Sequence, residues 1–457
     1  MSQFTEDQVT QLAPDAASLK SGKDLANERK WVSFHQNERV LWGEVQGSGK
    51  DPYRTQVDLQ NIAFKCSCPS RKFPCKHGLG LLFIAARNPS AIKQGIAEPA
   101  WVSDWISKRV DKAESKVEKD NHQEEDPKKA EKQAKDKEKR QKERQQKVEA
   151  GVAELDLWLK DLVRTGLLTL PERGHTFFEK TAARMVDAQA TGLANMVRSF
   201  NKINFYNGNA WHTEALALST NIYLLLESFK NLEKLPQLWQ EDVRNMIGRT
   251  VAQKDLLAES NDNNTIKDTW LVIGRQTETE DDITIQRNWL YGCQSGQYAL
   301  ILNFAYKNTP MTNLLMVGSF VDATLVFYPS NSPFRAILKE QSLNTNTTDT
   351  FSSKGAFATW DAMQETFAGQ LAKNPWFDDI PYMVEQLVLV NNNAQWFLKD
   401  SAGAFLPLNS AFSDKQIWHL LAITGGKPVD LFLIKTNNTV LPLGIMNQSD
   451  RTYQLLR

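Results

Sequence analysis

Apolar positions alternate with polar ones toward both ends of the chain and follow a helical period between them. Near the N-terminus Val9, Leu12, Ala16 and Leu19 recur every three or four residues, interrupted at Pro14. That spacing predicts helix within residues 6–27. Strand-like runs follow at 31–34, 40–45, 53–59 and 62–66, with Gly47-Ser48-Gly49-Lys50 as a turn. Together they predict a small antiparallel sheet. The apolar run at 79–86 then predicts a helix, and residues 101–110 finish the unit.

From 151 to about 260 the pattern is helical. Val152, Leu155, Leu159, Leu162 and Leu167-Leu168 form one broad face, which Pro171 ends. Residues 177–197 read as a second helix, and 216–226 and 232–256 as at least two more. Strands return from about 268: 270–274, 283–285, 289–291, 298–304 and 325–329. A polar loop at 342–355 and a helix at 360–371 come next. Further strands are expected at 387–390, 396–399, 418–423, 429–434 and 440–443, with turns at 400–403 and at Gly425-Gly426. The fold class is therefore α+β and multidomain.

One stretch carries chemistry. Three of the four cysteines fall between 66 and 75, and a histidine follows: Cys66-Ser67-Cys68, six residues, then Cys75-Lys76-His77. Zinc takes four tetrahedral Cys and His ligands, and three Cys with one His is a closed structural set. Side chains two apart on an extended strand lie about 7 Å apart on one face. Zn–S bonds of about 2.3 Å need the sulfurs closer, so the chain must curl after Cys66. Pro69 permits the curl. Cys75 and His77 cannot share one face of a regular helix. They fit across a helix N-terminus, with Cys75 just outside and His77 in the first turn. A Cys66–Cys68 disulfide would be badly strained and would leave a third thiol over.

This arrangement resembles the SWIM-type zinc finger: C-x-C, a variable spacer, then C-x-H. The short spacer and Cys-Lys-His-Gly-Leu-Gly-Leu-Leu-Phe resemble the bacterial members, and residues 155–162 and 182–190 resemble their long form. The resemblance implies binding of DNA or of proteins. For the bacterial long form it implies partnership with MoxR-type AAA+ ATPases and von Willebrand A-domain proteins.

Composition narrows the choice. Lys plus Arg and Asp plus Glu both number 54, so no global charge drives the chain toward nucleic acid or an anionic membrane. Residues 108–149 are more than half charged, of both signs, without aromatic residues. Such a segment cannot bury enough apolar surface to fold alone, and reads as a linker, partly helical and partly disordered. The expected division is 1–107 a SWIM-like zinc-binding domain, 108–150 the linker, 151–260 a helical domain and 261–457 a β-rich domain. Residues 1–25 lack the apolar run of a signal peptide, and no stretch is apolar enough to span a membrane. With three cysteines committed to metal, this predicts a cytoplasmic protein.

Gly-Ser-Gly-Lys at 47–50 is not a phosphate loop: Glu44 stands where Gly is needed, and Asp51 follows the lysine. No nucleophile elbow, dinucleotide turn, kinase set or His-Glu-x-x-His occurs, so no enzyme is expected. His175 and Glu179 read as a surface pair. Around the metal, Lys65, Arg71, Lys72 and Lys76 alternate with Phe64 and Phe73. Arg71 and Lys72 are the candidate ligand contacts. Two functions remain: a zinc-stapled scaffold or adaptor that docks a protein, and a DNA- or RNA-binding protein acting through the zinc module.

Overall fold

The computed structural model describes residues 4–456 apart from 48, 94, 122–126, 207–209, 281, 308, 310, 312–313, 344–354, 378, 394 and 448–451. The expected loop at 342–355 lies almost wholly outside the described residues, as does Ser48 of the 47–50 turn.

Two short helices open the chain, α1 (Glu6–Gln11) and α2 (Ala16–Leu25). Thr5 and Gln8 cap α1 reciprocally, and Asp15 caps α2 by accepting from the Ser18 amide. Strands β1 (Trp31–Gln36), β2 (Val40–Val45), β3 (Tyr53–Asp58) and β4 (Ala63–Cys66) form an antiparallel sheet in chain order. One face of it, with Leu41, Val45, Val57 and Phe64, shares a core with α1 and with α3 (Lys76–Arg87). Against the other face, Val40 and Trp42 meet Val102 and Ile106 of α4 (Ala100–Asn121). Asp58 is buried on β3, and Arg109 of α4 donates to it at 3.1 Å and to the Asn61 carbonyl. Arg39 stands 3.8 Å from the same carboxylate, and the closer Arg109 contact fastens α4 to the sheet.

The charged segment is helical wherever it is described: α4 runs to Asn121 and α5 spans Pro127–Thr165. Gly166, at φ 94°, ends α5. The C-terminal part of α5 packs with α6 (His175–Asp187), α7 (Thr191–Ser199), α8 (Ala210–Lys230) and α9 (Gln237–Ile247) around Leu155, Phe178, Met185, Phe200 and Leu225. The single helix expected over 177–197 is two, because Gln189 takes φ 60° between them. A short α10 (Gln253–Ala258) follows.

Five strands then close a barrel: β5 (Thr265–Glu280), β6 (Ile283–Gly292), β7 (Tyr298–Tyr306), β8 (Phe320–Phe327) and β9 (Arg335–Leu343). The expected strands at 283–285 and 289–291 are one continuous β6, zipped to β7 along its length. After α11 (Trp360–Lys373), β10 (Ile380–Asn392), β11 (Gln395–Lys399), β12 (Phe405–Pro407), β13 (Val429–Thr436), β14 (Thr439–Met446) and β15 (Tyr453–Leu455) build a second sheet, ordered β12-β11-β10-β13-β14-β15. The strand expected at 418–423 is instead part of α12 (Asp414–Thr424). Ser413 and Gln416 form its capping box, and Gly425 ends it in the left-handed conformation rather than turning a hairpin. Local capping decides a short apolar run whose period is ambiguous.

Barrel and sheet share one core. They meet closely at Gly274, where an added Cβ would lie 2.5 Å from the Phe432 ring. Gln11 of α1 holds Val317, before β8, through both amide atoms, at 3.1 and 2.8 Å. Leu314 and Met316 enter the N-terminal core from the same loop. Trp376 enters the helical core and donates to the Asn221 carbonyl. Buried Asp242 of α9 accepts from Asn331 twice. Replacing Gly274 by Val should therefore cost about 1–3 kcal/mol, read as a lower denaturation midpoint by tryptophan fluorescence. An unchanged midpoint would mean the contact at Gly274 is loose.

Candidate metal centre

Cys66 is the last residue of β4, and its partner across the ladder is Thr55. The chain leaves the sheet at Ser67, whose amide and hydroxyl both bond to the Arg54 backbone. This turn brings Cys68 back beside Cys66. Cys75 is the N-cap of α3, and His77 lies in the first turn. Gly78 follows because the ring of Phe64 lies where a Cβ would stand, at 2.7 Å.

The ligand atoms of Cys66, Cys68, Cys75 and His77 all lie within 4.8 Å of one another. Zn–S bonds of about 2.3 Å in a tetrahedron put sulfurs about 3.8 Å apart, so small inward movements close the set. Nδ1 of His77 faces the thiols, 3.7 Å from Cys66 Sγ and 4.0 Å from Cys75 Sγ. Tyr53 packs on the imidazole at 5.2 Å between ring centres, a support the spacing of the motif did not suggest. Cys75 and His77 are buried, whereas Cys66 and Cys68 are partly exposed.

The crowded thiols resist ionising together. Hydrogen bonding to Cys66 pulls the Cys75 thiol down; the same contact, with burial, pushes Cys66 up. Burial likewise raises Cys68. A divalent cation resolves this conflict by taking the place of the protons. The donor set fits zinc.

Residues 53–85 match the SWIM zinc finger, and residues 143–247 match the SWIM-associated four-helix bundle domain. The chain carries a SWIM zinc finger and a SWIM-associated bundle. No curated protein and no solved structure gives a significant match. The SWIM finger corresponds to β3, β4 and most of α3, and the associated bundle to α5 from residue 143 through α9. No helix among the described residues is long and apolar enough to cross a membrane.

The spacer of the SWIM finger folds back on the chain. Lys72 lies 2.8 Å from Asp15, the cap of α2, and Phe73 packs edge-on against Phe64. Arg71 is exposed. The two candidate contacts thus differ: Lys72 ties the spacer to α2, whereas Arg71, like Lys65 and Lys76, is exposed. Far from the metal, Glu179 pairs with Arg198 at 2.8 Å across α6 and α7. That ion pair, and secondarily His175, lowers its carboxyl below the ordinary value.

Zinc analysis by native mass spectrometry should find one ion per chain. Cys75→Ser should weaken zinc binding by more than the about 10–100-fold seen on losing an outer-shell partner. Full retention would exclude Cys75 as a ligand. The bond from Lys72 holds the Asp15 carboxyl down to about 2. A folded value below the unfolded one means the contact is present above the ordinary carboxylate range and is lost as pH falls through about 2. In Lys72→Ala the Asp15 midpoint, followed by carbon-detected NMR, should move up; no movement would mean the pair does not form in solution.

Proposed function

We propose that this chain is a non-enzymatic adaptor, in which zinc rigidifies the N-terminal module and the whole assembly docks a protein partner. The observation that carries this reading is the closed ligand set: four protein donors converge on one point, leaving no coordination position for water or substrate. Zinc there acts as a cross-link between the end of β4 and the start of α3. The module is also tied to the barrel through Gln11 and Met316, as suits a part that transmits or presents a bound partner. By family resemblance, the partners to test first are a MoxR-type AAA+ ATPase and a von Willebrand A-domain protein.

Nucleic-acid binding through the zinc module is the alternative. Its electrostatic support is thin, because the chain is charge-balanced and Lys72 is engaged by Asp15. The two readings separate in an affinity purification of the tagged full-length chain from its own cells, with and without nuclease. The adaptor reading expects proteins that survive nuclease, are lost with Cys75→Ser and are indifferent to Arg71→Ala with Lys72→Ala. Recovery of nucleic acid, with the proteins vanishing after nuclease, would replace it by the alternative.

A further inference from the structure

In chain order, the barrel strands run first, second, third, fifth, fourth, and close on the first. All neighbours are antiparallel except β7 and β9, the third and fifth, which are parallel. This is the arrangement of the oligonucleotide- and oligosaccharide-binding barrel, which binds ligands on the face of its second and third strands. Fold alone does not choose a ligand, so the side chains on that face must.

Half of the face is already used within the chain. Phe432 and Leu443 lie on Gly274, and the Phe432 and Trp289 rings are 6.2 Å apart. The other half is open. Cross-strand neighbours Ile283 and Tyr306, and then Ile285 and Phe304, line it. Ile283, Phe304 and Tyr306 are 45%, 54% and 55% exposed, high for apolar side chains set side by side. Between the covered and open halves lies a cleft of about 500 Å³. Trp289, Leu300, Phe377 and Ile434 supply its apolar wall; Glu278 and Asp379 stand among its polar lining.

Charge selects among ligand classes. Among the described residues Glu278 pairs with Arg287 at 2.7 Å, Asp282 pairs with Lys307 at 3.4 Å, and Asp379 accepts from the Thr436 hydroxyl at 2.9 Å and has no ion pair. A polyanion finds Arg287 and Lys307 already paired with carboxylates here, whereas nucleic-acid binding relies on cations that neutralise phosphates. A sugar would leave Ile283 and Ile285 without an apolar partner. Among the described residues β7 meets β9 through two residue pairs, Leu300 with Arg335 and Ile301 with Ala336, and further along β7 the exposed apolar side chains are the anchors that this face offers a peptide.

We propose that the open part of the β6–β7 face, with the adjoining cleft, docks an extended segment of a partner protein whose apolar side chains are flanked by Lys or Arg. This rests on the adaptor reading and names the surface through which the adaptor acts. The apolar side chains of the segment cover Ile283, Phe304 and Tyr306, and its cations meet Glu278 and Asp379.

The test uses the zinc-loaded full-length chain, panned against displayed random dodecapeptides; an enriched peptide is then measured by fluorescence polarisation beside single-stranded oligo-dT. The expected result is enrichment of apolar residues flanked by Lys or Arg. Phe304→Ser with Tyr306→Ser should weaken that peptide about tenfold or more, and these positions are exposed enough to leave the fold intact. Glu278→Gln with Asp379→Asn should weaken it less and flatten its salt dependence. Enrichment of acidic sequences, no enrichment, or affinity unmoved by both double variants would overturn the proposal. So would oligo-dT binding that Phe304→Ser with Tyr306→Ser abolishes. If a partner recovered from cells binds the Phe304/Tyr306 variant undiminished, this surface is wrong and the adaptor reading stands. If the peptide behaves as expected but no protein is recovered from cells, the surface stands and the adaptor reading falls.

Discussion

Three thiols and an imidazole converge from the end of β4 and the start of α3, and the N-terminal module is arranged around that convergence. A four-stranded sheet with α1 and α3 on one face and the start of α4 on the other is a small unit, so a metal cross-link is the natural staple for it. The link joins the two elements whose inner faces form the core: Phe64 on β4, and Leu79, Leu82 and Phe83 on α3. Without the metal, crowding and burial keep Cys66 and Cys68 protonated, and neutral thiols give the two elements no cross-link.

The staple has consequences beyond the module because α1 sits between α3 and the barrel. Its Val9 and Leu12 belong to the zinc-module core, while Gln11 on the same helix grips the Val317 backbone. A separate fastening, Asp58 with Arg109, fixes the start of the charged helix against the opposite face of the sheet. The helical core is joined instead to the C-terminal part, through Trp376 and through Asp242 with Asn331. The charged helices therefore connect units that also touch by other routes.

Legibility in the sequence followed locality. The four metal ligands fall within twelve consecutive positions, 66–77, and each is of a type that zinc demands, so residue type and spacing exposed them. Strands of the N-terminal sheet were equally plain because turn residues punctuate them. The barrel closure was hidden: β9 reads Arg-Ala-Ile-Leu-Lys-Glu-Gln-Ser-Leu, a composition that suits a helix, and only pairing with β8 and β7 makes it a strand. The break at Gln189 carries no glycine or proline to announce it. The open face and its cleft draw Glu278, Trp289, Phe304 and Asp379 from separate strands and a loop, and no periodicity links such positions.

The most direct measurement is hydrogen–deuterium exchange on the full-length chain before and after zinc is stripped by a chelator. Loss of protection should appear in β3, β4 and α3, and extend to α1 and residues 314–317, while α6 to α9 keep theirs. Unchanged protection in β4 and α3 would contradict a structural zinc. Equal loss in α6 to α9 would contradict the claim that the metal governs the N-terminal module and its contact with the barrel alone.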